Sequence, residues 1–196
     1  MTSQKRELYF ITAVLTATLA AGGYFAYRNR APSPERVAAH VEGWLGGPRA
    51  AVRLMQERYG PPHVLAPGAA TWHERGPWKR ITVRGDQPLS YLEQTVGYHV
   101  PFEAVERLAE FDHGLRVDRV NSELTAASND EALNFLALNL ANEVSAGKRG
   151  PGDAGDFYVK TARLAAAGKS SPYLEKLMFD PYRPLPDLPW DREIGY

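Results

Sequence analysis

Residues 128–147 read SNDEALNFLALNLANEVSAG and predict the best-specified helix of the chain. Ser128 and Glu131 have the S-x-x-E spacing of a capping box, and Gly147 is typical of a helix end. At 100° per residue, one arc of this helix is apolar. The opposite arc gathers Asn134, Asn139 and Asn142. We therefore expect a helix over about 130–146, whose asparagine face binds either a neighbouring protein or the domain's own loops.

Two β-hairpins are predicted before this helix. Residues 70–84, ATWHERGPWKRITVR, alternate with period two around a turn at 74–77, and residues 115–120 and 123–127 form the second pair. Strict alternation places Trp78, Arg80, Thr82 and Arg84 on one face and Lys79, Ile81 and Val83 on the other. Further helices are expected from Pro34, from Pro48, over 101–111 with Phe102 facing inward, and over 153–167. The pattern predicts an α+β domain of about five helices and two hairpins.

A membrane anchor is predicted near the start of the chain. Residues 8–27, LYFITAVLTATLAAGGYFAY, carry no charge, and as a helix they would span roughly 30 Å, the thickness of a bilayer core. Basic residues flank this run, and aromatic residues lie near both of its ends. The predicted anchor residues are Leu8, Phe10, Leu15, Leu19, Gly22, Gly23 and Phe25. A cleaved secretory signal is the alternative interpretation.

The chain is expected to have three parts: an anchor over 1–30, a soluble domain over 31–170 and an extended arm over 171–196. These parts predict a single-pass membrane protein whose domain lies outside the cytoplasm. Frequent prolines favour an extended arm. The arm's aromatic residues need a covering surface, and they include Phe179, Tyr182, Trp190 and Tyr196.

Charge and composition exclude several function classes. The net charge of the chain is zero, and residues 1–30 carry four basic and one acidic side chain, so the remaining residues carry about three negative charges. A mildly acidic domain lacks the basic surface that nucleic acid requires, and we expect no nucleic-acid partner. The chain has no cysteine, which excludes cysteine-ligated zinc, thiol catalysis and covalent c-type haem.

Motifs for chemistry are sparse. The sequence has no G-x-S-x-G, no H-E-x-x-H and no glycine-rich phosphate loop after a strand, so we predict no catalytic residue, no cofactor and no metal ligand. Two groups of side chains remain candidates for a ligand site. These are Trp72, His73, Trp78 and Arg80 on the first hairpin, and His99 with His113.

Short motifs give the chain a resemblance to an uncharacterised bacterial family of secreted or membrane-anchored proteins. They are YGPP at 59–62, TWH at 71–73, GPWKR at 76–80, YHVP at 98–101, EFD at 110–112, ELTA at 123–126 and NFLALNLANE at 134–143. The resemblance covers about residues 50–165. It implies an exported α+β domain and no particular activity. Together with the predicted anchor, it implies a single-pass protein of the bacterial inner membrane with its domain on the periplasmic side.

We expect a non-catalytic accessory subunit of a multi-subunit bacterial membrane complex, respiratory or photosynthetic in type. Its partners would be membrane lipid and other subunits of that complex. The alternative is an independent envelope enzyme or ligand-binding domain that uses the Trp72/His73/Trp78/Arg80 region or a His99/His113 site. A cytoplasmic-facing scaffold differs from the first hypothesis only in orientation.

Overall fold

The computed structural model describes residues 31–182, and these form one α+β domain. The domain contains the helices and strands predicted from apolar periodicity, from proline at helix starts and from short turns. It also contains two strands and one helix that were not predicted. In chain order they are α1 Pro34–Val41, α2 Gly46–Tyr59, β1 Val64–Ala66, β2 Ala69–Arg75, β3 Trp78–Arg84, β4 Leu92–Gly97, a 3₁₀ turn Phe102–Ala104, α3 Val105–Phe111, β5 Leu115–Asp118, β6 Glu123–Ser128, α4 Glu131–Ser145, α5 Pro151–Ala166 and α6 Pro172–Glu175.

One antiparallel sheet carries the described strands in the order β1-β2-β3-β4-β6-β5. The two predicted hairpins are confirmed as β2–β3 and β5–β6. Strand β4 lies between them and joins them into a single sheet. Sequence reasoning missed β4 because Gln94, a polar residue at its centre, is fully buried and breaks the expected pattern.

The two faces of this sheet have different chemistry. On the core face, Trp72 of β2 is paired with Ile81 of β3, and Ile81 is paired with Gln94 of β4. Helices α2 and α4 pack on this face. We call the other side the threonine face. It carries Thr71, Thr82, Thr95 and Thr125. An antiparallel sheet commonly buries one face in this way and leaves polar residues on the other.

Strict alternation fails at the start of β3. Trp78 is only 1 % exposed and stacks on Phe135 of α4, with ring centroids 4.8 Å apart, while Lys79 pairs with Glu123 on the threonine face. Glu74, which lies opposite Lys79 in the register, has φ +49°, so the ladder is locally irregular at this point. The prediction that Trp78 shares a face with Arg80, and Lys79 with Ile81, is therefore wrong.

The first part of the predicted arm packs against the domain. It begins with α6, whose Leu174 is buried in the core, and it ends where the Tyr182 N–H donates to the Gly97 carbonyl at 2.7 Å. An ideal Cβ on Gly97 would lie 1.8 Å from the Tyr182 carbonyl oxygen, so only glycine permits this close approach. Residues 183–196, with the predicted arm residues Trp190 and Tyr196, lie outside the described residues.

The prediction of a single-pass membrane protein is contradicted. Within residues 31–182, no helix is long and apolar enough to cross a bilayer. The longest, α5, has 16 residues, spans about 24 Å and carries charged side chains along its length. The transmembrane part of the predicted fold class and the inner-membrane localisation are corrected accordingly. The predicted anchor over 1–30, from Leu8 to Phe25, lies outside the described residues.

Candidate functional site

The four hairpin residues predicted as one ligand site are divided between the two faces of the sheet. Trp72 and Trp78 are 0 % and 1 % exposed, and both indole N–H groups are used inside the domain. His73 and Arg80 are register partners on the threonine face, where Arg80 donates to Glu123 at 2.9 Å. The tryptophans therefore belong to the core, and they do not form a surface with His73 and Arg80.

A buried carboxylate, Glu131, connects α2, the sheet and α4. It is 2 % exposed, and its Oε1 accepts hydrogen bonds from the Tyr59 hydroxyl at 2.7 Å, from Trp78 Nε1 at 2.9 Å and from Gln94 Nε2 at 2.6 Å. Its Oε2 accepts from Arg58. Burial raises the pKa of Tyr59, and the hydrogen bond with Trp78 partly offsets this effect. A buried charge with this many donors is fully satisfied, so the cluster fixes three elements together.

The capping box predicted from Ser128 and Glu131 is wrong, because another residue caps α4. Asp130 is the N-cap and accepts from the Ala132 N–H at 3.0 Å, while Ser128 bonds to the backbone of Asp130. Glu131 turns into the core instead of reaching back to the cap. Sequence analysis therefore missed its role. Glu131 lies one helical turn before the apolar Phe135 and so on the same side of α4, and this spacing could have indicated that Glu131 faces the core.

The three asparagines of α4 contact segments of the same domain. Asn134 is fully buried and donates to the Leu92 carbonyl and to Gln94. Asn139 donates to the carbonyls of Tyr173 and Lys176 and accepts from the Met178 N–H. Asn142 accepts from the Tyr98 hydroxyl at 2.9 Å. All three asparagines therefore bond within the described domain: Asn134 to strand β4, Asn139 to α6 and the segment after it, and Asn142 to Tyr98, the residue after β4. The alternative of contacts with the domain's own loops describes only part of this face.

The predicted histidine pair occupies two different environments. His99 is exposed, whereas His113 is part-buried and stacks on Tyr158 with ring centroids 4.2 Å apart. Burial lowers the pKa of His113, and the charge of Asp112 opposes that shift. Across residues 31–182, no three side chains of the metal-ligating types come together. His63 lies elsewhere, at the β1–β2 edge, and accepts from the His73 N–H.

Exposed apolar side chains surround the end of β4. Phe102 is 76 % exposed, Val120 94 %, Met178 53 % and Tyr182 51 %. We call these four residues the β4-end patch. Phe102 was expected to face inward, but residues 102–104 form a 3₁₀ turn in which Ala104 is the buried side chain, so that prediction is wrong.

Contacts with the segment 97–100 hold the patch in one region of the molecule. The Arg119 guanidinium lies 5.3 Å from the Phe102 ring centroid and also donates to the Val100 carbonyl, which places Val120 beside the same turn. The ring of Phe179, a predicted arm residue, lies 5.4 Å from the ring of Tyr98. Next to the patch, a cavity of about 280 Å³ is lined by Glu74, Pro77, Trp78, Lys79, Gly97, Pro181 and Tyr182.

Sequence reasoning found Tyr182 but not the other three residues of the patch. Val120 lies in the turn between β5 and β6, and Met178 follows α6; no periodicity marks either one as a surface residue. Comparisons with protein-family models, with curated proteins and with solved structures give no match to this chain. The resemblance to an uncharacterised bacterial family therefore stays a prediction.

Proposed function

We propose that this chain is an interaction protein, an accessory subunit of a larger protein complex, and that it binds a protein partner through the β4-end patch. The exposure of Phe102 and Val120, at 76 % and 94 %, carries the proposal. Large contiguous apolar patches on a protein surface mark interaction sites, and we take these four side chains as parts of one such surface. Aromatic residues, methionine and arginine are also enriched at protein interfaces; the patch contains Phe102, Tyr182 and Met178, and Arg119 lies beside Phe102.

The internal polar network supports the same function. Glu131 and Asn139 fix α2, the sheet, α4 and the segment after α6 to one another, and the patch is built on this frame. A rigid surface loses little conformational freedom on binding, so more of the contact energy is retained as affinity. Burial of Phe102 and Val120 by a partner would place two large apolar side chains near the centre of the interface, where binding energy concentrates.

Replacement of both exposed side chains tests the proposal. The double variant Phe102→Ser, Val120→Ser is expected to lose at least about tenfold in affinity for the partner, since each truncation at the centre of an interface costs about 1–2 kcal/mol. The measurement is quantitative mass spectrometry of proteins that co-purify with tagged chain from the native host. The matched control is Leu89→Ser, which removes a side chain that is 75 % exposed in the connection before β4, at the opposite end of that strand.

A defined set of proteins retained by wild type and Leu89→Ser, and lost by the double variant, would support the proposal. The same set in all three samples, or a wild-type chain recovered alone at monomer mass, would overturn it. Urea unfolding of the double variant should match wild type within about 0.5 kcal/mol, because surface substitutions rarely exceed that effect. An unfolding curve of the double variant that matches wild type would show that the partner is lost while the domain stays folded.

A further inference from the structure

A second surface feature lies between α5 and α6. A hollow of about 300 Å³ is lined on its apolar side by Phe157, Leu164, Pro172 and Leu174. The exposed outer face of α5, with Asp156, Val159 and Arg163, adjoins this hollow, and Lys160 and Leu164 border both. We call the hollow and this face together the α5–α6 groove. The volume of the hollow is in the range of small-molecule sites, which are mostly apolar with a few polar groups.

Cations dominate the rim of this groove. Lys160 and Lys169 line the hollow, and Lys160 and Arg163 border the outer face of α5. Within residues 31–182, none of these three side chains forms an ion pair with a carboxylate, whereas Arg149, at the start of the same region, pairs with Glu143 at 2.6 Å. The groove therefore presents three unpaired positive charges around an apolar floor.

Two carboxylates belong to the same surroundings. Asp156 lies on the outer face of α5, and Glu175 follows the residues that line the hollow. Glu175 accepts a hydrogen bond from the Ser170 hydroxyl, so part of its capacity is already used. The balance of charge at the rim remains positive, and a bound anion would be favoured over a bound cation.

The floor of the groove is incompletely covered by the domain itself. Val159 and Leu164 are 41 % and 47 % exposed on α5, although both lie beside buried neighbours such as Thr161 at 5 %. An occupant with an apolar chain would remove this surface from water, and an anionic head would meet the lysines at the rim.

We propose that the α5–α6 groove binds a small anionic amphiphile, a molecule with one carboxylate head and one unbranched apolar chain. The chain lies against Phe157, Leu164 and Leu174, and the carboxylate accepts hydrogen bonds from Lys160 and Lys169. This site is separate from the β4-end patch, and its occupation does not depend on the proposed protein partner.

Titration of the full chain with dodecanoate, below its micellar concentration, tests the site. Binding is followed by two-dimensional NMR of the backbone amides. We expect saturable shifts confined to α5, the 167–171 connection and α6. The double charge reversal Lys160→Glu, Lys169→Glu should weaken dodecanoate at least about fivefold, the size expected for loss of rim charges on a partly exposed anion. These lysines are exposed, so the variant is expected to fold normally.

Two controls make the outcome decisive. Lys148→Glu changes the charge of an exposed lysine outside the groove and should leave dodecanoate affinity unchanged. Dodecyltrimethylammonium has the same chain with a cationic head and should bind at least about fivefold more weakly than dodecanoate. Absence of saturable binding, equal binding of the two amphiphiles, an unchanged affinity in the double reversal, or selective binding of an acidic peptide with no binding of dodecanoate would each overturn the proposal.

Discussion

Glu131 shows how one side chain can decide the packing of a domain. Its carboxylate is buried between a helix, a strand and a second helix, and each of its oxygens has donors within hydrogen-bond distance. Removal of a buried charge from well-placed donors leaves those donors unsatisfied, which costs more than the net value of the bonds themselves.

We expect Glu131→Gln to lower the free energy of unfolding by about 2 kcal/mol. An amide keeps one oxygen for the donors Tyr59, Trp78 and Gln94, but it turns an N–H₂ donor toward Arg58 and removes the charge. The Arg58 pair contributes less than a fully buried one because that side chain is half exposed. Urea unfolding gives the measurement, and the exposed Glu103→Gln is the control. A loss below about 0.5 kcal/mol in Glu131→Gln would contradict the network described above.

His113 should make stability depend on pH near neutrality. Burial lowers its pKa below the ordinary 6.5, so the unfolded chain binds a proton more readily than the folded domain. Stability is therefore complete above 6.5 and decreases as pH falls through that value toward the lower folded pKa. Between pH 7.5 and 5.5, wild type should lose more stability than His113→Asn.

Asparagine is the suitable replacement because His113 has φ +45°, a conformation that asparagine adopts readily. His63, whose pKa is also lowered by burial and then by Arg75 and His73, is present in both proteins, so its contribution cancels in the comparison. Urea midpoints at the two pH values supply the data, and equal losses would exclude His113 as the titrating group.

At the scale of elements, Asn139 connects a helix to the segment that follows α6. Its amide group bonds the carbonyls of Tyr173 and Lys176 and the N–H of Met178, at 3.1, 2.8 and 2.7 Å. One side chain thus satisfies a carbonyl of the short helix α6 and two backbone groups of the irregular segment after it, which has few other ways to pair them.

We expect Asn139→Ala to free the segment 172–182 while the sheet stays folded. Hydrogen exchange should rise selectively in that segment, since local opening follows the loss of its own bonds. Asn129→Ala is the control, because Asn129 is an exposed asparagine just before α4 and has no contact with 172–182 among the described residues. Exchange that rises equally in β3 and β4 would indicate global destabilisation, and unchanged exchange in 172–182 would show that Asn139 does not hold the segment.

Periodicity predicted the elements whose pattern is local. The hairpins β2–β3 and β5–β6, the proline-initiated helix α1 with its Ser33 cap, and α4 to within a residue at each end all follow from spacing within a short stretch. Strand β4 is completed by pairing with β6, from Leu92 opposite Ser128 to Gly97 opposite Glu123, and the inward turn of Glu131 by its bond with Gln94, 37 residues away in sequence, so no local pattern contains them. The β4-end patch arises for the same reason, because its residues meet only in the folded chain.

At the scale of the molecule, ion pairs cover the threonine face. Glu93 accepts from Arg84 at 2.5 Å and from Arg116 at 3.1 Å, and Glu123 pairs with Lys79 and Arg80. Burial alone would raise the pKa of both carboxyls, but the hydrogen bonds and charges of the paired side chains outweigh it and lower both pKa values. Lowered carboxyl pKa values stabilise the folded state above the unfolded pKa.

Acid should therefore remove this stabilisation. For Glu93 it is complete above the ordinary value of 4.5 and disappears as pH falls through the lower folded pKa. The difference in unfolding free energy between wild type and Glu93→Gln should be largest at pH 6 and should shrink toward pH 3. Thermal unfolding in buffers across that range is the measurement; a difference that stays constant would mean that the pairs with Arg84 and Arg116 contribute nothing.

The described sheet is bounded by two very short strands, β1 with three residues and β5 with four. A long free edge offers an unbroken row of amide and carbonyl groups to other chains, and such rows are templates for aggregation. Edges of three and four residues supply too few groups to hold a foreign strand. Concentrated solutions of the folded domain should therefore resist fibril formation, even though the domain carries exposed apolar side chains.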